Sequence, residues 1–337
     1  MDNYQMAKDR IGILDPLRFL AAILVMLYHY QPYLEQGVAG EHVDFLKYGY
    51  LGVNFFFMLS GFVIMASAEN RSAIKFALLR ALRLYPAFIG CLLLTLAAIY
   101  TFDGEQLPAL DIVLNALIIN DYFGINNIDG VYWTLQAELK FYGCVFLLIL
   151  TTLITSYRIW VTAWLVMAVA FHFSNQPFFL GWFISPGYSF HFMGGVTAYH
   201  LFKNPKDRYA LILFVVALVF SSIKSWEQID GFCRQVTNVD RLLAATISAV
   251  FFVFYFFLRQ LNSGIKYSKT MVLLGGMSYP LYLLHNRAGK EILQAINTIT
   301  SIDVAFVLTL GVVLTAAFLI HVLIEKPIFR AARKHLN

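Results

Sequence analysis

The chain alternates long apolar runs with short polar intervals. A helix needs about 20 mostly apolar residues to cross a hydrocarbon core about 30 Å thick. Ten runs approach or reach that length: residues 12–31, 49–67, 84–101, 131–151, 158–173, 187–202, 209–224, 241–258, 271–286 and 304–324. The pattern predicts an all-α polytopic membrane protein with about ten transmembrane helices, organised as a single transmembrane domain over residues 1–337. The first run is too long for a signal peptide and no small-residue cleavage site follows it, so it is expected to remain as a helix. The chain is too evenly apolar to hold a separate soluble domain, and the loops are expected to serve the membrane body.

Composition agrees. Hydrophobic residues make up 59% of the 337 and charged residues only 13%, about half the charged fraction of soluble domains, and mean hydropathy is +0.67. Charge then sets an orientation. With the N-terminus inside, the inner segments hold Lys8, Arg10, Arg71, Lys75, Arg80, Arg83, Arg158, Lys203, Lys206, Arg208, Arg259, Lys266, Lys269, Lys326, Arg330, Arg333 and Lys334, against Lys47, Lys224, Arg234, Arg241, Arg287 and Lys290 outside. That asymmetry follows the positive-inside rule and predicts an even helix count with both termini cytoplasmic. The outer segments are acidic, with Asp103, Glu105, Asp111, Asp121 and Asp129 ahead of the fourth run. The net charge of +5 thus reflects topology and not affinity for nucleic acid. Cys91, Cys144 and Cys233 are odd in number and dispersed, which offers neither a disulfide framework nor metal-ligand spacing.

Against this background the ionisable residues inside the runs stand out, because such groups are expensive in a bilayer and usually face a protein interior or a wet cavity. Arg18 and His29 share the first run. Eleven residues are about three helical turns, so the two lie on nearly the same face, roughly 16 Å apart along the axis. The predicted topology places Arg18 near the inner face and His29 near the outer face. Trp133 and Glu138 fall in the outer third of the fourth run and His285 at the outer end of the ninth. Asn54 opens the second, and Arg80 and Arg83 precede the third. Each has a plainer reading. Arg80 and Arg83 can be topological anchors or lipid-phosphate contacts, and Arg18 can pair with Asp15 one turn earlier. The histidines can be hydrogen-bonded core residues, Glu138 can pair with a cation, and Trp133 can belong to an interfacial aromatic belt.

These residues resemble the integral-membrane acyltransferase-3 family, bacterial enzymes that O-acylate O-antigens, exopolysaccharides and other surface glycans. The likeness is carried by Asp15-x-x-Arg18, the Arg18-x10-His29 spacing, the run from Gly52 to Gly61-Phe62 and Arg80-x-x-Arg83-x-x-Pro86. It continues in Trp133-x-Leu-x-x-Glu138-x-x-Phe-Tyr142, Ser278-Tyr-x-Leu-Tyr-x-x-His285 and Glu325-Lys-Pro327. Each is weak in an apolar chain, but together and in order they cover nearly all of it. Where relatives often show a second acidic residue beside the glutamate, this chain has Gln136-Ala137-Glu138. The esterase-like domain that some relatives append is not expected, since the chain ends soon after the tenth run.

The resemblance implies a cell-inner-membrane enzyme that takes an acyl group, acetyl above all, from cytoplasmic acyl-CoA. The acceptor would be a hydroxyl of a polysaccharide or its lipid-linked precursor on the outer side. Arg18, Arg80 and Arg83 would hold the donor phosphates, since arginine binds them through planar bidentate hydrogen bonds. His29 would be the base or the acyl carrier, histidine being near-neutral in pKa; Glu138 is expected as its partner from its depth in the membrane and not from the resemblance. Asn54, Trp133 and His285 would line the acceptor side. No resident cofactor or metal is implied; acyl-CoA, glycan and lipid are the partners. Two alternatives come from other classes. A secondary transporter could use the same His, Arg and Glu as a substrate or proton path, with Pro186 and Pro280 breaking its helices, although the two halves show no clear repeat. A scaffolding subunit would leave Arg18 and His29 without a task.

Overall fold

The computed structural model describes residues 11–38, 40–174, 187–263, 265 and 268–336. Among these residues there is no strand. The α-helices are α1 (Leu14–Leu34), α2 (Gly52–Ala68), α3 (Ala73–Ala98), α4 (Ala109–Ala116), α5 (Trp133–Leu150), α6 (Tyr157–Phe173) and α7 (Ser189–Lys203). They continue with α8 (Arg208–Phe232), α9 (Asn238–Phe256), α10 (Leu258–Asn262), α11 (Lys269–Leu284), α12 (Arg287–Asn297), α13 (Ile302–Ile320) and α14 (Lys326–Leu336).

Each predicted run falls on a helix, but not every helix has the length and apolarity of a membrane span. Six segments do: His42–Ala68, Ala73–Asp103, Gly130–Leu150, Arg208–Phe232, Asn238–Phe256 and Ile302–Ala332. Three of the other helices are short, α6, α7 and α11 having 17, 15 and 16 residues. The remaining one, α1, mixes Asp15, Arg18, His29 and Gln31 into an otherwise apolar sequence.

Two details correct the sequence reading. The third helix starts at Ala73 rather than at residue 84, so Arg80 and Arg83 lie within α3 and not ahead of it. The interval after α2 is accordingly brief, and Ser72 Oγ accepts from Lys75 N at 3.3 Å near the start of α3. Pro280 does not break its helix: α11 runs through it, and Cys91 Sγ donates to the Pro280 carbonyl at 3.8 Å. Proline is tolerated in apolar helices where neighbours take up the freed backbone groups. Pro186, Lys8, Arg10 and Lys266 lie outside the described residues.

Helix starts follow local chemistry. Asp207 accepts from Tyr209 N and Ala210 N at the head of α8. Thr237 and Asp240 form a reciprocal capping box on α9, and Ser268 accepts from Met271 N on α11. Each satisfies backbone donors that the first helical turn leaves unpaired.

The chain divides into two compact units. The first comprises Met1–Gly49, Leu78–Gln136 and Lys266–Asn337, the second Tyr50–Ala77 and Ala137–Ile265. In the first unit α1 packs along α11, and α13 packs on α11 and α12. In the second, α2 lies along α7, which also meets α8. Glycines make the α2–α7 approach possible. A Cβ on Gly195 would strike Met58 O, and one on Gly61 would strike Phe192 O. Small residues at such contacts let helix backbones meet closely, where dispersion and weak polar contacts hold helices together in an apolar medium.

Gly195→Leu is therefore expected to destabilise the second unit by more than the 1–3 kcal/mol or so of ordinary overpacking, because the obstacle is backbone. Gly143→Ala and Gly311→Ala, which meet nothing within 4 Å, serve as controls and should melt as wild type. Thermal unfolding and size-exclusion profiles in detergent check this; a Gly195→Leu protein indistinguishable from the controls would disprove the close approach.

Candidate functional site

The first unit gathers most of the predicted residues. Arg18 and His29 both lie on α1, so their separation of roughly 16 Å along one helix stands. Arg18 is half-buried, and its Nε has no hydrogen-bond partner among the described residues. Three turns on, His29 packs its ring against Tyr28 at 4.9 Å and against His285 at 5.2 Å between centroids.

His285 follows α11 and is fully buried. Its Nδ1 lies 2.7 Å from the Tyr282 carbonyl oxygen. A carbonyl only accepts, so Nδ1 carries the proton and a neutral ring keeps its lone pair on Nε2. That Nε2 is buried and has no partner among the described residues. The backbone around it is tied down. Tyr30 OH donates to His285 O at 2.8 Å, and a Cβ on Gly289 would strike that hydroxyl.

Asp129, fully buried, anchors the same corner. It accepts from Asn286 Nδ2 and from Arg287 N, each at 2.7 Å, and from Val131 N at 3.1 Å. Burial pushes its carboxyl above the ordinary carboxylate range, against the pull of those donors. The Arg287 side chain reaches Asp103 at 2.6 Å and Glu105 and Glu291 at 3.0 Å each. Sequence reasoning treated Asp129 only as one of several acidic loop residues. Its signal was the Asp-Gly pair just before an apolar run, the pattern of a residue whose side chain turns back onto its own backbone.

A second cluster lies where α13 continues into α14. Residues His321–Glu325 form a π-helical turn. There Glu325, buried, is ion-paired with Arg83 and accepts from His321 Nδ1 at 2.9 Å. Short π-helical turns inside α-helices often mark functional positions. Arg83 is 28% exposed, and part of its guanidinium is engaged by Glu325. Arg80, one turn earlier, is half-buried.

The remaining predicted residues have local partners. In the second unit Glu138 accepts from Ser60 Oγ at 3.0 Å and from Tyr142 OH. Asn54 is buried and donates to Ser225 Oγ at 3.2 Å. In the first unit Trp133 begins α5, half-buried, and Gln136 donates to Asn120 Oδ1 at 3.0 Å. Among the described residues, no group of three His, Cys, Asp or Glu side chains could hold a metal ion. The arrangement offers one histidine pair, with buried hydrogen bonds behind it, and one arginine–carboxylate–histidine cluster.

Comparison with known proteins gives these clusters a context. The family model described as "Acyltransferase domain" (acyltransferase 3) matches residues 11–325. The chain is 31% identical over 180 residues to "Nodulation protein 10" of Rhizobium leguminosarum bv. viciae, covering 46% of this chain and 48% of that protein. It is 28% identical over 176 residues to the "Putative membrane-bound transacylase BcsY" of Komagataeibacter xylinus, covering 47% and 42% respectively. The chain thus spans less than half the length of either relative. No solved structure matches it.

The Arg83–Glu325 pair predicts an asymmetry. Removing one member of a buried ion pair costs about 3–5 kcal/mol, chiefly because the other charge is stranded. Arg83→Leu strands the more buried Glu325, so it should lower the melting temperature more than Glu325→Leu. The double variant should be milder than the sum of the two. Thermal unfolding in lipid nanodiscs reads this, and strictly additive single effects would argue against the pair.

Proposed function

The chain belongs to the acyltransferase-3 family, and on that premise we propose that it is a multi-pass membrane O-acyltransferase. It moves an acyl group, most simply acetyl, from cytoplasmic acyl-CoA to a hydroxyl of a surface polysaccharide or its lipid-linked precursor across the bacterial inner membrane. The observation that carries this reading is His29: it shares one helix with Arg18, and its ring lies beside a second histidine that buried hydrogen bonds hold in place.

The roles follow from the chemistry. A sugar hydroxyl needs a base at neutral pH, and His29 supplies it. The hydroxyl oxygen attacks the thioester carbon as its proton passes to the His29 ring. The carbon–sulfur bond then breaks, and the departing thiolate takes that proton. CoA phosphates need cations, which Arg18, Arg80 and Arg83 provide. The extended pantetheine arm is comparable in length to the roughly 16 Å between Arg18 and His29. Asn54 and Trp133 belong to the acceptor side of this scheme, which gives Glu138, held by Ser60 and Tyr142, no step of its own.

Ten spans with both termini cytoplasmic suit these roles, and the ion pairs support that topology. Arg83–Glu325, Lys203–Glu69 and Arg158–Asp207 join segments assigned to the inner side. Arg287–Asp103, Arg287–Glu105 and Arg241–Asp230 join segments assigned to the outer side. The pairs link segments of like assignment, as a membrane between them requires.

His29→Ala should reduce transfer of radiolabelled acetyl from acetyl-CoA to glycan by about 10²–10⁴-fold, the usual contribution of a general base, while the protein still folds. Near wild-type transfer by a folded variant would refute the role. Arg80→Ala should raise the apparent KM for acetyl-CoA more than that for the acceptor. The rise should grow with ionic strength as the remaining contacts are screened, and Arg80→Lys should rescue it only partly because lysine lacks the planar fork. An unchanged donor KM would leave Arg80 as a topological anchor.

A further inference from the structure

A fully buried imidazole with one nitrogen committed and the other idle is costly, since an unpaired buried acceptor forfeits about 1–3 kcal/mol. His285 is such a group. Its Nδ1–H is held by the Tyr282 carbonyl at 2.7 Å, which leaves the lone pair on Nε2, and that atom has no partner among the described residues. Beside it lies the ring of His29, which makes no hydrogen bond to a described residue, with ring centroids 5.2 Å apart and planes tilted by 43°. Buried polar groups that go unsatisfied call for a reason, and catalysis is a recurrent one.

We propose that His285 is the positioning residue for His29: its Nε2 accepts the ring N–H of His29 that faces away from the acceptor. The inference rests on the reading of His29 as the base and adds the partner that base needs. While the hydroxyl proton resides on His29, the imidazolium carries two N–H groups. One is oriented to return its proton to the departing thiolate, and the other is held by His285. His285 neither gains nor loses a proton in the cycle. It fixes the His29 tautomer beforehand and stabilises the cation once formed, the task a carboxylate performs in hydrolase triads.

Three features suit His285 to this task. Its own tautomer is dictated by a backbone carbonyl, so Nε2 is an acceptor whenever the ring is neutral. The peptide behind it is clamped, by Tyr30 OH on His285 O at 2.8 Å and by Asp129 on Asn286 and Arg287 N at 2.7 Å each. The His29 ring is half-buried, makes no hydrogen bond to a described residue and has its centroid 5.2 Å from that of His285, so the proposal asks only that it turn an N–H toward Nε2. A neutral acceptor also avoids a second bare charge in an apolar body, where charge is expensive.

The test compares His285→Leu, His285→Gln and His29→Ala in the acetyl-CoA-to-glycan assay, with melting temperature and size-exclusion profile recorded for each. His285→Leu should lower kcat by about 10²-fold, short of the 10⁴-fold reached when a triad loses its orienting group, with both KM values unchanged. His285→Gln, whose amide oxygen can accept in place of Nε2, should recover part of that loss. A folded His285→Leu enzyme with wild-type kcat beside a dead His29→Ala enzyme overturns the inference and spares the acyltransferase reading. An active His29→Ala enzyme overturns the reading of His29 as the base, on which the inference rests. A change confined to KM would make His285 a substrate contact and also defeats the proposal. Should His285→Leu fail to fold, the glutamine variant decides: folded but no more active than background, it shows that an acceptor at this position is not what His29 requires.

Discussion

A polar side chain inside an apolar helical body has no water to fall back on, and this constraint organises the molecule. Several ionisable groups in or beside the apolar helices meet defined partners: Arg83 meets Glu325, Glu138 meets Ser60 and Tyr142, and Asp129 meets three N–H donors. An unpaired charge in hydrocarbon costs several kcal/mol, enough to move a helix or strip the site of its charge. Among the buried polar atoms without a partner in the described residues, Arg18 Nε and His285 Nε2 are informative for that reason. They lie where the proposed reaction needs an anion receptor and a proton acceptor.

The node at Asp129 shows how one buried carboxylate organises a distant stretch of chain. It lies just before α5 yet holds the backbone that links α11 to α12, through Asn286 and Arg287. That backbone carries His285. Tyr30, next to His29 in sequence, holds the same peptide from the side of α1. The histidine pair is thus supported from three separate segments, all within the first unit. Rigid placement of this kind, with side chains held by hydrogen bonds behind them, is what catalytic geometry requires.

Packing in the second unit uses a different device. Its contacts are largely aromatic and glycine-mediated: Phe57 and Phe141 each pack a tilted ring against Phe192, and Gly61 and Gly195 let α2 and α7 meet backbone to backbone. Buried polar pairs such as His191 with Ser248 at 3.1 Å and Asn54 with Ser225 fix helix register there. Interhelical hydrogen bonds of this type add modest energy but strong geometric preference in an apolar medium.

Hydrophobic run length settled the helices, because a stretch of apolar residues between polar intervals can satisfy its backbone only by coiling on itself. The helical spacing of Arg18 and His29 was equally legible, being a property of one continuous helix. Helix starts were less so: α3 begins at Ala73 because capping and the basic residues of its first turns are compatible with helix, whereas apolarity alone pointed to residue 84. The partners of the site residues were decided only by tertiary structure. Glu325 lies far along the chain from Arg83, and Asp129 from Asn286. No local pattern encodes such a meeting, since it depends on which helices pack together and at what register. For the same reason the sequence could mark His285 as a polar residue at a helix end but not show which of its nitrogens is engaged; that follows from a carbonyl 2.7 Å away and from the ring of His29 beside it.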